Sequence, residues 1–151
     1  MFDRRQCLVG IAAFAVSAGA SAKAATKTLI KVAKSPSCGC CTAWVEHLRG
    51  AGFAVQVANV DDVSPIARRL GVPDDLRSCH VAIAGGYFIE GHVPAADIAR
   101  LLREKPKALG IAVPGMPNGS PGMDAGGRGE RFYTMLVAKG GGRRRFAVHG
   151  G

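Results

Sequence analysis

The sequence predicts an α/β fold, a sheet with flanking helices. Three observations lead there. Short apolar runs with the alternation of strands are interleaved with runs at helical spacing. Gly and Pro punctuate the junctions between them. At 151 residues and 48% hydrophobic composition, the chain suits one globular domain with a modest core.

The elements follow in order. Thr28-Leu-Ile-Lys-Val-Ala33 reads as a first strand, and Ser-Pro-Ser-Cys-Gly then makes a turn. Thr42 to Arg49 reads as a helix with Trp44, Val45 and Leu48 on one face, ended by Gly50 and Gly52. Phe53, Val55 and Val57 alternate as a second strand. Ser64-Pro65 is a helix start, cap then first position, with Ile66 to Leu70 following and Gly71 and Pro73 as the stop. His80-Val-Ala-Ile-Ala84 and Tyr87-Phe-Ile-Glu90 are two short strands around Gly85-Gly86, a hairpin signal. Pro94 opens a further helix with Ile98, Leu101 and Leu102 inward, ending before Pro106. Strand, helix, strand, helix, strand, strand, helix is the order of a thioredoxin-like sheet with helices on both faces.

After that helix the composition shifts. Residues 110 to 129 hold seven Gly and three Pro, and the expectation is a segment that is neither regular helix nor interior strand. Within it Pro114-Gly-Met116 recurs as Pro121-Gly-Met123. Arg131 to Ala138 and Arg143 to Val148, around Gly140-Gly-Gly142, read as a C-terminal β-hairpin.

The first residues read as an export signal. Arg4 and Arg5 precede the apolar run Cys7 to Val16, which is too short to span a membrane permanently, and Ala20-Ser-Ala22 and Ala22-Lys-Ala24 offer cleavage sites. The expected organisation is residues 1–24 as signal, 25–106 as a thioredoxin-like domain, and 107–151 as a Gly/Pro/Met-rich loop and hairpin of that domain. An ordinary secretion signal is the favoured reading. Asp3-Arg-Arg-Gln-Cys-Leu8 is a partial match to the twin-arginine alternative. The expected address is the periplasm, with no stable membrane insertion after cleavage. Removing residues 1–24 lowers the formal charge from +9 to +7, since three cations and one anion leave. The basic residues lack interleaved aromatics, so no nucleic-acid partner is expected. Arg143, Arg144 and Arg145 read as a solvated tail.

Export leaves Cys38, Cys40, Cys41 and Cys79 in an oxidising compartment, where paired disulfides are the ordinary expectation. Three of them are too crowded for that. Disulfides want Cα atoms roughly 4.4–6.8 Å apart, which adjacent Cys40 and Cys41 meet only with strain. Two complete disulfides are therefore not expected. The thiols lie where the first strand meets the first helix, in the field of a helix N-terminus that favours thiolates. Thiolates attack disulfides and also bind metals. Cys38 and Cys41 have the spacing of a redox dithiol, and Cys40 between them is a wrong partner for clean exchange. For a soft metal the extra thiol is an asset, and crowded thiolates suit Cu(I) better than zinc. Met116 and Met123 are either loop packing or thioether ligands lying over the site. His80 and His92 are candidate accessory ligands, His80 with a supporting role favoured because it alternates away from Cys79. His47 and His149 are expected to be solvated.

Ser35-Pro-Ser-Cys-Gly-Cys-Cys-Thr-Ala-Trp44, Ser78-Cys-His80, Glu90-Gly-His-Val-Pro-Ala95 and Met116-Pro-Asn-Gly-Ser-Pro-Gly-Met123, in that order, resemble the exported family known as domain of unknown function 411. Its members include CopG-type copper-resistance proteins. The resemblance implies a thioredoxin-like fold, a periplasmic address and copper handling. It implies a copper site built from Cys38, Cys40, Cys41 and Cys79, a redox role in copper or thiol chemistry, and periplasmic copper-handling proteins as partners. Ordinary thioredoxins place a cis-proline beside the active cysteines. Here that neighbourhood is Arg77-Ser-Cys-His80, which suits a ligand better than a substrate platform.

Overall fold

A computed structural model describes residues 27–124 and 126–150, so the expected signal at 1–24 lies outside the described residues. The chain runs β1 (Leu29–Lys34), α1 (Gly39–Gly50), β2 (Ala54–Asn59), α2 (Ser64–Arg69), a 3₁₀ turn (Asp74–Leu76), β3 (His80–Ala84), β4 (Tyr87–Gly91), α3 (Ala95–Glu104), β5 (Ala108–Val113), β6 (Phe132–Ala138) and β7 (Arg143–His149). The strands form one mixed sheet in the order β2-β1-β3-β4-β5-β6-β7. The pairs β1–β2 and β4–β5 are parallel, each joined by a crossover helix, and the others are antiparallel.

The two faces are covered separately. Trp44, Val45 and Leu48 of α1 and Ile98 and Leu101 of α3 pack with Ile30, Val32, Ile89 and Ile111 in one cluster. Ala67 of α2, Val72 and Leu76 pack on Ala33, Val81 and Phe88 on the other face. Among the described residues no helix is long and apolar enough to cross a membrane.

Local chemistry accounts for the element ends. The Cys38 sulfur accepts the Cys41 N–H at 3.4 Å, so a cysteine caps α1, and His47 and Arg49 lie in its last turn where the dipole favours cations. Gly85 and Gly86, at φ 56° and 85°, make the two-residue turn between β3 and β4. Ser64 is not the cap of α2: Val63 holds that position, and Asp62 Oδ1 accepts the Ser64 N–H at 2.8 Å.

The segment after α3 departs from expectation. Ala108–Val113 is an interior strand between β4 and β5's other neighbour, β6. Its glycine suggested a loop, but Gly110 is there because β4 comes so close. A Cβ at Gly110 would lie 2.1 Å from the Phe88 carbonyl oxygen and 2.5 Å from its ring. A near-continuous apolar run is what an interior strand beside a parallel neighbour requires. His47 is exposed, as expected, and its Nε2 also accepts the Ala95 N–H at 3.0 Å, capping α3 from α1. His149 departs from expectation. His149 is half-buried, with Nε2 2.8 Å from Asp97 Oδ2, and Thr134 Oγ1 donates to the same carboxylate oxygen at 2.5 Å.

Gly110→Ala should destabilise the domain by about 1–3 kcal/mol, because its new methyl meets backbone that cannot move without breaking β4–β5 pairing. A melting curve followed by circular dichroism should shift down by several degrees; an unchanged midpoint would show that the two strands can part at this point.

Candidate metal centre

The sheet register brings four strand ends to one edge. Lys34 at the end of β1 pairs with His80 at the start of β3, Val81 pairs with Glu90, and Gly91 at the end of β4 pairs with Val113 at the end of β5. The residues just beyond these ends therefore meet. Cys38, Cys40 and Cys41 follow β1, Cys79 precedes β3, His92 follows β4, and Met116 follows β5.

Cys38 and Cys41 are joined in a disulfide, with Cα atoms 5.3 Å apart, while Cys40 and Cys79 are free. The sequence expectation that two complete disulfides would not form agrees with this arrangement. Cys40 Sγ lies 3.4 Å from Cys38 Sγ and 3.9 Å from Cys79 Sγ. Cys79 Sγ lies 3.3 Å from Cys41 Sγ. All four sulfurs fall within 4.8 Å of one another, a spacing that one metal ion or a small cluster can span.

A second group overlaps the first. Cys79, His80 and His92 also converge within 4.8 Å. His80 Nδ1 is 3.5 Å and His92 Nε2 is 3.8 Å from Cys79 Sγ. The far nitrogen of each ring is fixed on a carbonyl: His80 Nε2 donates to Gly91 at 3.0 Å and His92 Nδ1 donates to Pro121 at 2.8 Å. A carbonyl can only accept, so each neutral ring turns its lone pair toward the Cys79 sulfur. That is how supporting hydrogen bonds orient imidazole ligands. His80 is nearer the thiols than its expected alternation allowed, because Cys79 lies before the strand begins and alternation does not reach it. Its ring also stacks on Trp44, with centroids 4.4 Å apart.

The loop after β5 closes over this group. Gly122 sits so close to α1 that a Cβ there would lie 2.7 Å from the Cys40 carbonyl oxygen and 2.8 Å from the Trp44 nitrogen. Met116 Sδ is 3.9 Å from Cys79 Sγ, and its backbone is held at φ 47°, a left-handed conformation rare for a non-glycine residue. Met123 contributes backbone bonds, its N–H to Ser120 and its carbonyl to Gly119, both at 2.8 Å, that close the turn.

Electrostatics divide the donors. Burial first, then the neighbouring Cys40, pushes the Cys79 thiol up to about 11, so Cys79 is protonated at neutral pH. The helix N-terminus that favours thiolates lies at Cys38 to Cys41, and Cys79 comes just before the start of another strand. Burial pushes His80 down to about 3 and lowers His92 as well, so both rings are neutral and ready to ligate. Glu90, fully buried behind Cys79, is pushed up to about 7 by burial. Lys34 is buried too, and its Nζ donates to the Ser35 carbonyl at 2.8 Å. No cis peptide occurs among the described residues, so the Arg77 to His80 turn is built differently from a cis-proline platform.

Comparison with known proteins agrees with the geometry. Residues 76–123 match the family described as Protein of unknown function, DUF411. Two solved structures of the copper resistance protein copG are similar to this chain at 42% identity and a TM-score of 0.78. Form 1 matches over 83% of this chain and 100% of its own, and form 2 over 82% and 99%. None of the curated proteins matches the chain. At that identity and coverage, the chain belongs to the DUF411 family of CopG-type copper resistance proteins.

Proposed function

We propose that this is a periplasmic copper-binding protein of copper homeostasis or resistance. It holds Cu(I) through Cys38, Cys40, Cys41 and Cys79 on a thioredoxin-like scaffold. The observation that carries the proposal is the convergence of four sulfurs from two separate parts of the chain within 4.8 Å. Soft thiolates select cuprous copper, and shared sulfurs let a small cluster form. His80, His92 and Met116 surround Cys79 as further donors, and Met123, on the same loop, is an exchange ligand. In this reading residues 1–24 direct export by the general secretion or twin-arginine route and are removed. Residues 25–106 and 107–151 then work as one domain, and other periplasmic copper-handling proteins exchange copper with it.

The Cys38–Cys41 disulfide occupies two of the four donors, so full loading requires its reduction. The same pair supports a redox activity. A reduced Cys38–Cys41 dithiol can convert two Cu(II) to two Cu(I), forming the disulfide and releasing two protons. The disulfide also favours a second reading, a thiol-disulfide oxidoreductase using Cys38 and Cys41. Against it stand Cys40 and Cys79, each within 3.4 Å of a disulfide sulfur and each able to divert exchange.

In an anaerobic competition titration of the reduced chain, Cys79→Ser should weaken Cu(I) binding by more than the roughly 10–100-fold that loss of a supporting partner costs. Its circular dichroism spectrum should be unchanged. Equal affinity in the two proteins would remove Cys79 from the site.

The raised Cys79 pKa makes a separate prediction. In the metal-free protein its alkylation should be slow at pH 7 and should rise about tenfold per pH unit until near pH 11, since only the thiolate reacts. Mass spectrometry of the labelled peptide gives the rate. A rate that levels off below pH 9 would mean that the thiol is not shielded as described.

The two readings separate in an insulin reduction assay. The copper-binding reading predicts turnover far below a thioredoxin control, and a comparable rate would favour the oxidoreductase.

A further inference from the structure

Three consecutive residues of one segment address three consecutive residues of another. Glu90 Oε1 accepts the Ser78 N–H at 2.5 Å. The Gly91 carbonyl accepts from His80 Nε2 at 3.0 Å. His92 then turns its Nε2 to the Cys79 sulfur at 3.8 Å. Cys79 is thus fixed on both flanks, and the third residue of the segment faces its sulfur. Gly91 makes this approach possible: a Cβ there would lie 2.5 Å from the Val113 carbonyl oxygen and 3.1 Å from Ser78 Oγ.

Glu90 is costly where it sits. It is fully buried. Among the described residues it makes no ion pair, and its Oε2 has no hydrogen-bond partner. Ser78 Oγ and Arg77 Nε, from the same turn, are also buried without a partner. Each such atom leaves its loss of water uncompensated. What the carboxyl does at that place is hold the Ser78 N–H, and its second oxygen finds no partner.

We propose that Glu90 is a positioning residue for the metal centre: its Oε1 fixes the Ser78 peptide and thereby the direction in which Cys79 presents its sulfur to copper. The proposal rests on the copper-binding reading. It assigns Glu90 a geometric role, with no contact to the metal. An acceptor oxygen at that place is what the site needs, and a glutamine supplies one.

The test compares Glu90→Gln and Glu90→Ala with the unsubstituted protein. Cu(I) affinity is measured by competition, the copper spectrum by absorption, and Cys79 reactivity by alkylation of the reduced, metal-free chain. Glu90→Gln should keep the affinity within about threefold and keep the spectrum. Glu90→Ala should lose roughly 10–100-fold in affinity and shift the spectrum toward that of Cys79→Ser. It should also change the alkylation rate of Cys79 while leaving that of Cys40 alone. In the unsubstituted protein the Ser78 amide proton should exchange slowly, as a hydrogen bond to a buried carboxyl requires. An ordinary, freely exchanging Ser78 amide would overturn the proposal. So would a folded Glu90→Ala protein with unaltered affinity and spectrum, or a Glu90→Gln protein as weak as Cys79→Ser. If Glu90→Ala does not fold, the Ser78 amide and Glu90→Gln decide. A protein that takes up no copper at all contradicts the copper-binding reading, and the amide and alkylation measurements then still judge the role of Glu90.

Discussion

Everything at the candidate metal centre depends on the register of the sheet. The pairings Lys34 with His80, Val81 with Glu90 and Gly91 with Val113 set four strand ends level at one edge. Because side chains alternate along a strand, a slip of one residue in any of these pairings would turn Glu90 or His80 to the opposite face. The sulfurs of Cys40 and Cys79, which are 39 positions apart in sequence, meet only because that register holds. The close contact at Gly110 and the turn at Gly91 are local conditions for it, since each lets backbone approach where a side chain would block.

The centre is asymmetric in its chemistry. On one side, at the start of α1, Cys38 and Cys40 are partly exposed and Cys41 is buried, with Cys38 and Cys41 bonded as a disulfide. On the other, Cys79 is a shielded, protonated thiol ringed by two neutral imidazoles and a thioether. Metal binding at Cys79 must displace a proton, and the two histidines need lose none. On the proposed copper-binding reading, affinity would be tied to pH through the thiols and to redox state through the disulfide.

Much of this was legible in the sequence, and the parts that were not have physical reasons. The crowding of Cys38, Cys40 and Cys41 at a strand-to-helix junction follows from spacing alone, as do the β3–β4 turn and the amphipathic face of α1. β5 is hidden because Gly110 and the prolines after it argue against a strand, and only the neighbouring Phe88 explains the glycine. Alternation turns His80 away from Cys79 only if the strand includes Cys79, and Cys79 lies before the strand begins. The burial of Glu90 leaves no mark in a linear pattern, since an acidic residue at the end of a strand reads as solvated. The docking of the methionine loop by Gly122 onto α1 is a contact between segments about 80 residues apart, beyond the reach of local propensity.

X-ray absorption of the anaerobically reduced, Cu(I)-loaded protein tests the central claim most directly. The account predicts a cuprous edge and a first shell dominated by sulfur, with the sulfur contribution reduced when Cys79 is replaced by Ser. A shell of nitrogen and oxygen without sulfur, or a protein that retains no copper after desalting, would contradict it.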